Sequence, residues 1–159
     1  MGLSVIRFTT AEQDGPCWGM LRGDQVYRLP WQDEQLSGIM ENLVARRAEA
    51  DSAAEDTGLT LDDVRLFSPL TPDCTLLCQG LNYASHQEEA GMTQAEIRPE
   101  DNLLFVKSSA SLSGPHDEIV RPAECELLDY EAELGLVMGR AIDGPVTVAK
   151  EALGDYVAG

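Results

Sequence analysis

Apolar and polar residues alternate with a period of two along residues 127–138. Tyr130, Ala132, Leu134, Leu136 and Met138 fall on one side, and Glu131, Glu133, Gly135 and Val137 on the other. The pattern predicts a half-buried strand whose back is wholly apolar. Its outer face carries two carboxylates with Cα atoms roughly 6.5–7 Å apart. Ionised carboxylates that close repel each other unless water or a cation lies between them. The stretch therefore reads either as a wet strand face or as two hard oxygen ligands aimed at one divalent cation.

Shorter runs predict strands at 5–9, 17–21 and 25–29, the last two joined by a tight hairpin at Arg22-Gly23-Asp24. Then the period changes. Leu36, Ile39, Met40, Leu43 and Val44 recur at helical spacing, which predicts an amphipathic helix over 33–50. The acidic, alanine-rich residues 50–58 read as a frayed helix end or a loop. Thr60, followed by Asp62 and Asp63, is an N-cap with acids in the first turn. Pro69 and Pro72 break any element between 67 and 72, so the linker belongs there. The expected organisation is a small N-terminal α/β domain over 1–68 and a second domain over 69–159.

In the second segment a buried strand is expected at 75–78, a short helix at 85–90 closed by Gly91, and a strand at 103–107 ending in Lys107. A Ser/Gly-rich loop follows at 108–115, then an extended piece at 119–122 and the alternating stretch. Asp143-Gly144-Pro145 marks a turn, Thr147 caps a short helix at 148–153, and Tyr156-Val157-Ala158 reads as the opening of another strand. The fold class is α+β, mainly β.

Eleven Lys and Arg against 28 Asp and Glu give a formal net charge of −17. That balance argues against nucleic acid or an anionic membrane as partner, because phosphate binding needs a cationic face. No apolar run approaches the roughly 18 residues that span a bilayer, and no basic-then-apolar leader opens the sequence. Cys17, Cys74, Cys78 and Cys125 lack a paired metal-binding spacing and read as reduced thiols. A soluble cytoplasmic protein is the expectation.

Candidate chemistry clusters in the second segment. His86 and Glu89 stand three apart, so on a helix they share a face, and a carboxylate there can orient the imidazole as a general base. A solvated helix face with ordinary polar residues explains the same spacing. Lys107 at a strand end is either a solvated cation or an anchor for an anionic substrate. The serines at 109, 111 and 113 form a loop that offers donors to an anion. A Ser/His/Asp triad is set aside for want of a GxSxG elbow.

In order, Gly80-Leu81-Asn82-Tyr83 with His86 and Glu89, Leu104-Phe105-Val106-Lys107, Ser111-Leu112-Ser113-Gly114-Pro115, Ile119-Val120-Arg121-Pro122 and Leu128-Asp129-Tyr130-Glu131-Ala132-Glu133-Leu134 resemble the fumarylacetoacetate hydrolase family. Residues 1–68 resemble the small N-terminal domain that many members carry. The resemblance implies a partial mixed β-sandwich or roll over 69–159. It implies Mg²⁺ or Mn²⁺ held by Glu131 and Glu133, a water-activating dyad of His86 and Glu89, and substrate contacts from Tyr83 and Lys107. The implied substrate is a β-diketo acid or related oxo-acid, and the implied reaction is carbon–carbon cleavage through a metal-bound enolate. Decarboxylation and keto–enol isomerisation use the same enolate. A homodimer is the implied assembly.

Two departures stand out. Ser108 occupies a position where many members have Pro. The family's third metal ligand, an Asp, falls on the strand just beyond Gly159, and its catalytic Lys further on. The resemblance thus implies the first half of a catalytic domain: a fragment, a truncated or frameshifted reading, or one half of a split protein. The competing expectations are a non-catalytic interaction module and a plain divalent-cation-binding protein.

Overall fold

The structure, a computed structural model, describes residues 3–32, 35–80, 91 and 103–159. Five strands form an antiparallel sheet: β1 (Ser4–Thr9), β2 (Cys17–Arg22), β3 (Gln25–Arg28), β4 (Glu55–Thr60) and β5 (Arg65–Phe67), in the order β4-β3-β2-β1-β5. The expected hairpin is present, with Arg22 paired to Gln25 across Gly23 and Asp24.

Register explains which side chains meet. Val5 pairs with Met20 and Arg7 with Trp18, so these four share one face. The Arg7 guanidinium lies 5.6 Å from the centre of the Trp18 ring. Phe8, paired with Cys17, points to the opposite face and is wholly buried. Gly19 makes room for it: a Cβ there would lie 2.5 Å from the Phe8 ring. Any larger residue would expel the aromatic ring or bend the strand.

The main core lies on the Trp18 face, where Trp18, Met20, Leu29, Trp31, Leu36, Ile39 and Ala50 pack together. Leu36 and Ile39 come from helix α1 (Leu36–Glu41), and Ala50 from helix α2 (Leu43–Ala53). The expected continuous helix over 33–50 is thus two helices. Its break is at Asn42, which leaves helical geometry at φ −122° and ψ 29°. Asparagine favours such positions because its side chain competes for backbone hydrogen bonds. The break also changes which side chains face the sheet. Leu36 and Ile39 are buried, whereas Val44, on the same predicted face, is exposed. Asp33, the expected start, lies outside the described residues.

The first turn of α1 is capped from far along the chain. The Leu36 N–H donates to Thr71 Oγ1 at 2.8 Å, and the Ser37 N–H to Asp73 Oδ2 at 3.3 Å. The Thr71 hydroxyl in turn donates to Asp73 Oδ1. Thr71 is almost fully buried, so its hydroxyl satisfies the orphan Leu36 donor away from water, while the Ser37–Asp73 bond lies at the exposed surface.

Residues 55–60 correct a second expectation. Of the stretch 50–58, expected as a frayed helix end or a loop, residues 50–53 do end α2, but from Glu55 the chain forms β4, paired antiparallel with β3. A bulge between Val26 and Tyr27 accommodates the pairing. The Thr57 hydroxyl donates to the Val26 carbonyl at 2.6 Å, and the Gly58 N–H to Asp56 Oδ1 at 2.9 Å. Asp63 then accepts from both the N–H and the hydroxyl of Thr60, each at 2.8 Å, as the acidic first turn predicts.

β6 (Leu76–Gly80) and β7 (Leu103–Lys107) form a separate antiparallel ribbon, with Leu76 opposite Lys107 and Gly80 opposite Leu103. Beyond it the chain is irregular. The strand expected over 127–138 is not formed: its only β-type pairing among the described residues is the bridge from Met138 to Val157. Three hydrogen bonds flank that bridge, from Val137 N–H to Gly159 O, Ala158 N–H to Val137 O, and Gly139 N–H to Tyr156 O. A strand needs a neighbour for its backbone groups, and residues 127–136 have none among the described residues. Nor is the predicted apolar face covered, since Tyr130 is 91% exposed and Leu134 85%. Val137, on the opposite parity, is the residue that packs against the first core.

The expected cap at Thr147 is also displaced. A 3₁₀ turn spans Lys150–Asp155, with Ala149 at its N-cap. Overall the fold is α+β and mainly β, as the sequence pattern predicts.

Candidate functional site

The candidate residues occupy three unlike settings. Lys107 ends β7 and is exposed, with its ammonium 5.9 Å from the Phe105 ring centre on the same strand face. The ribbon aims it at solvent, where an anionic ligand can reach it. Glu131 and Glu133 are exposed on irregular backbone. Tyr83, His86 and Glu89 lie outside the described residues.

Glu131 and Glu133 offer the right donor chemistry for a hard divalent cation, two carboxylates without competing cations in sequence. Among the described residues, no group of three or more His, Cys, Asp or Glu side chains gathers to hold a metal ion. Among the described residues the two carboxylates therefore stand without a third potential ligand beside them. The four cysteines are unpaired thiols, as expected.

The loop that follows Lys107 is held by its own hydrogen bonds. Ser108 Oγ accepts the Ala110 N–H at 3.2 Å, while the Ser111 N–H and hydroxyl both donate to the Ser108 carbonyl, at 2.9 and 2.7 Å. These bonds wind residues 109–111 into a 3₁₀ turn. The loop then closes on itself at Gly114, whose N–H donates to Asp117 Oδ2 at 2.7 Å. The other carboxylate oxygen, Oδ1, accepts from Arg65 Nη2 at 3.0 Å. The Gly114 N–H and then Arg65 hold the Asp117 carboxyl below its ordinary value, outweighing a small desolvation, with His116 adding a weaker attraction.

Asp117 was not among the residues singled out from sequence. The available signal was Gly114-Pro115-His116-Asp117, a turn-forming run whose acidic residue can fold back onto a preceding amide. Its partner Arg65, 52 positions earlier, carries no comparable signal.

Comparison with known proteins covers this same region. The model of the fumarylacetoacetate (FAA) hydrolase C-terminal domain matches residues 75–159. Rat mitochondrial oxaloacetate tautomerase Fahd2a is 35% identical over 97 residues, 61% of this chain and 29% of the relative. Human mitochondrial oxaloacetate tautomerase FAHD2A is 34% identical over the same length and shares. A fumarylacetoacetate hydrolase domain-containing protein 2 homolog from Dictyostelium discoideum is 32% identical over 101 residues, 64% of this chain and 30% of the relative. The chain spans about three tenths of the length of these curated relatives. No solved structure gives a significant match. The family model covers more than half of the chain, in the segment that holds all five motifs after its first few residues, and the chain belongs to the fumarylacetoacetate hydrolase family.

Proposed function

We propose that this chain contributes to keto–enol chemistry on a small oxo-acid of the oxaloacetate type, with Mg²⁺ or Mn²⁺ as cofactor. The observation that carries the reading is the likeness of residues 75–159 to a family whose similar members include proteins named as oxaloacetate tautomerases. Carbon–carbon cleavage of a β-diketo acid, the reaction implied first by the resemblance, is supported by the family's hydrolase name and is the second reading.

In both readings the substrate is a dianion or monoanion with adjacent oxygens. A divalent cation, when bound, supplies Lewis-acid stabilisation of an enolate. Glu131 and Glu133 would be two of its ligands. Lys107, exposed at the end of β7, would pair with a substrate carboxylate, and Tyr83 would contact the same molecule. His86, oriented by Glu89, would take a proton from the carbon between the two carbonyl groups and return it to oxygen in tautomerisation. For cleavage the same imidazole would instead take a proton from water. The proposed assembly is a homodimer. With a net charge of −17, neither nucleic acid nor an anionic membrane is a proposed partner. Among the described residues no helix is long and apolar enough to cross a membrane.

The test is to follow enol-oxaloacetate by its ultraviolet absorbance with the purified chain, with and without EDTA and added Mn²⁺. Tautomerisation predicts metal-dependent decay of the enol without release of a second acid. Release of two carboxylic acids from an acylpyruvate points to cleavage instead. Glu131→Ala is expected to abolish the metal response, and an unchanged response would remove Glu131 from the ligand set. His86→Ala is expected to spare Mn²⁺ binding and stop turnover.

A further inference from the structure

We propose that Asp117 is the positioning residue of the loop after Lys107, and that it sets that loop against the first sheet through Arg65. The inference rests on the reading of Lys107 as a substrate contact.

Three observations carry it. First, both Asp117 oxygens are used, and for different purposes. Oδ2 closes the loop on the Gly114 amide at 2.7 Å, and Oδ1 reaches Arg65 of β5 at 3.0 Å. The Asp117 N–H also donates to the Gly114 carbonyl at 3.2 Å, so the turn is bonded in both directions. Second, Gly114 comes so close to β5 that a Cβ there would lie 2.8 Å from the Leu66 carbonyl oxygen. β5 is the outermost strand of the sheet, so the loop lies against an edge strand. Third, each end of the link makes a further contact of its own, although the Arg65 side chain is exposed. Arg65 has its guanidinium 5.4 Å from the Phe67 ring centre, and residues 108–112 are wound by the Ser108 and Ser109 carbonyls into a bonded turn. An isolated surface ion pair contributes little. This carboxylate does more, because the oxygen that does not face Arg65 fixes the loop's own shape.

The consequence concerns Lys107. It precedes the bonded turn directly, and the turn is anchored seven residues after it at Gly114. The clasp between Asp117 and Arg65 therefore fixes where the end of β7 stands relative to the first sheet. Loss of the clasp should free the loop, widen the range of Lys107 positions, and weaken substrate binding more than turnover.

The experiment compares the full chain with Asp117→Ala, Arg65→Gln and Arg65→Lys. Amide hydrogen exchange is read over residues 107–117, and oxaloacetate kinetics are read alongside. Near-ultraviolet circular dichroism from Trp18 and Trp31 checks that the first core is intact. Asp117→Ala is expected to speed loop exchange about tenfold, and to raise KM several-fold with kcat changed less than about twofold. Arg65→Gln should give a smaller effect of the same kind, and Arg65→Lys should restore most of it, since a single N–H bond is made. Unchanged loop exchange in Asp117→Ala, with the tryptophan signal intact, overturns the proposal. So does a fall in kcat with KM unchanged. If the wild-type chain turns over no oxo-acid, the functional reading fails by itself. Faster exchange at Lys107 and Ser108 would still support the clasp, and unchanged exchange would overturn it.

Discussion

The two halves of this chain treat the same kind of residue in opposite ways. Every fully buried apolar side chain among the described residues lies between Phe8 and Ala50, and the buried Thr71 follows at the linker. With the exception of Val44, every exposed large hydrophobic side chain among the described residues lies at Leu77 or beyond. The second region has no shortage of apolar residues, since Leu103 to Val106, Ile119, Val120, Leu134 and Leu136 are all in it. The first region has two helices and a linker laid over its sheet, whereas the β6–β7 ribbon and residues 119–136 have no second layer among the described residues. Apolar patterning creates a face that can be buried. Burial itself needs a facing layer, and a two-stranded ribbon alone supplies none.

The sharpest way to break this comparison is to truncate one side chain in each half. Trp18→Ala should cost about 3–5 kcal/mol of unfolding free energy, because Trp18 is 2% exposed and central to the core. Leu134→Ala, at 85% exposure, should stay within about 0.5 kcal/mol. Urea denaturation followed by tryptophan fluorescence reads both. A Leu134→Ala cost approaching that of Trp18→Ala would show that the second region is covered in solution.

A smaller effect probes what joins the linker to the first core. Thr71→Ala removes the acceptor of the Leu36 N–H and the donor to Asp73. It should cost about 1–2 kcal/mol, with Thr71→Ser recovering most of the loss. An alanine variant as stable as wild type would mean that α1 is not capped by the linker.

The smallest effect is in acid. At Asp73 burial pushes the carboxyl up, but hydrogen bonds from Ser37 and Thr71 together hold it below its usual value of 3.8. Asp63 and Asp117 are lowered chiefly by backbone N–H donors, from Thr60 and Gly114 respectively. A carboxyl with a lowered folded pKa contributes stability that is complete above the unfolded value and is lost as pH falls through the folded value. All three contributions are therefore present at neutral pH and fade below about pH 4. Loop exchange at residues 108–117, normalised for intrinsic chemistry, should accelerate over that window in wild type and show no such step in Asp117→Asn. A step that persists in Asp117→Asn would assign the acid response to another group.

Three strands of the first sheet, β1, β2 and β3, and the hairpin were legible because their alternation is local and they pair with neighbours adjacent in sequence, whereas β5, which pairs with the distant β1, was not. Strand 103–107 was legible for the same reason of composition, a short β-branched and aromatic run ending in a charge. Residues 55–58 were misread because Glu55, Asp56 and Gly58 all disfavour a strand and only Thr57 favours one. They become one only because β3 offers an edge and a bulge absorbs Thr57 and Gly58. Residues 127–138 failed in the opposite sense, with strand patterning present and pairing absent apart from Met138.

The site shows the same division. The family was readable from residue type and order, and the same motifs nominate Glu131, Glu133, Lys107, His86 and Glu89 as candidates. Asp117 and Arg65 were not, because a contact across 52 positions leaves no periodic trace. By itself, the sequence determined the family, the α+β class and which residue types are available for chemistry, since these depend on local composition and ordered motifs. Only the tertiary structure decided which apolar faces are covered, where the first helix breaks and is capped, and which loop is tied to which sheet. Those outcomes depend on partners distant in the chain, and hydrogen bonds and burial are realised only when such partners meet.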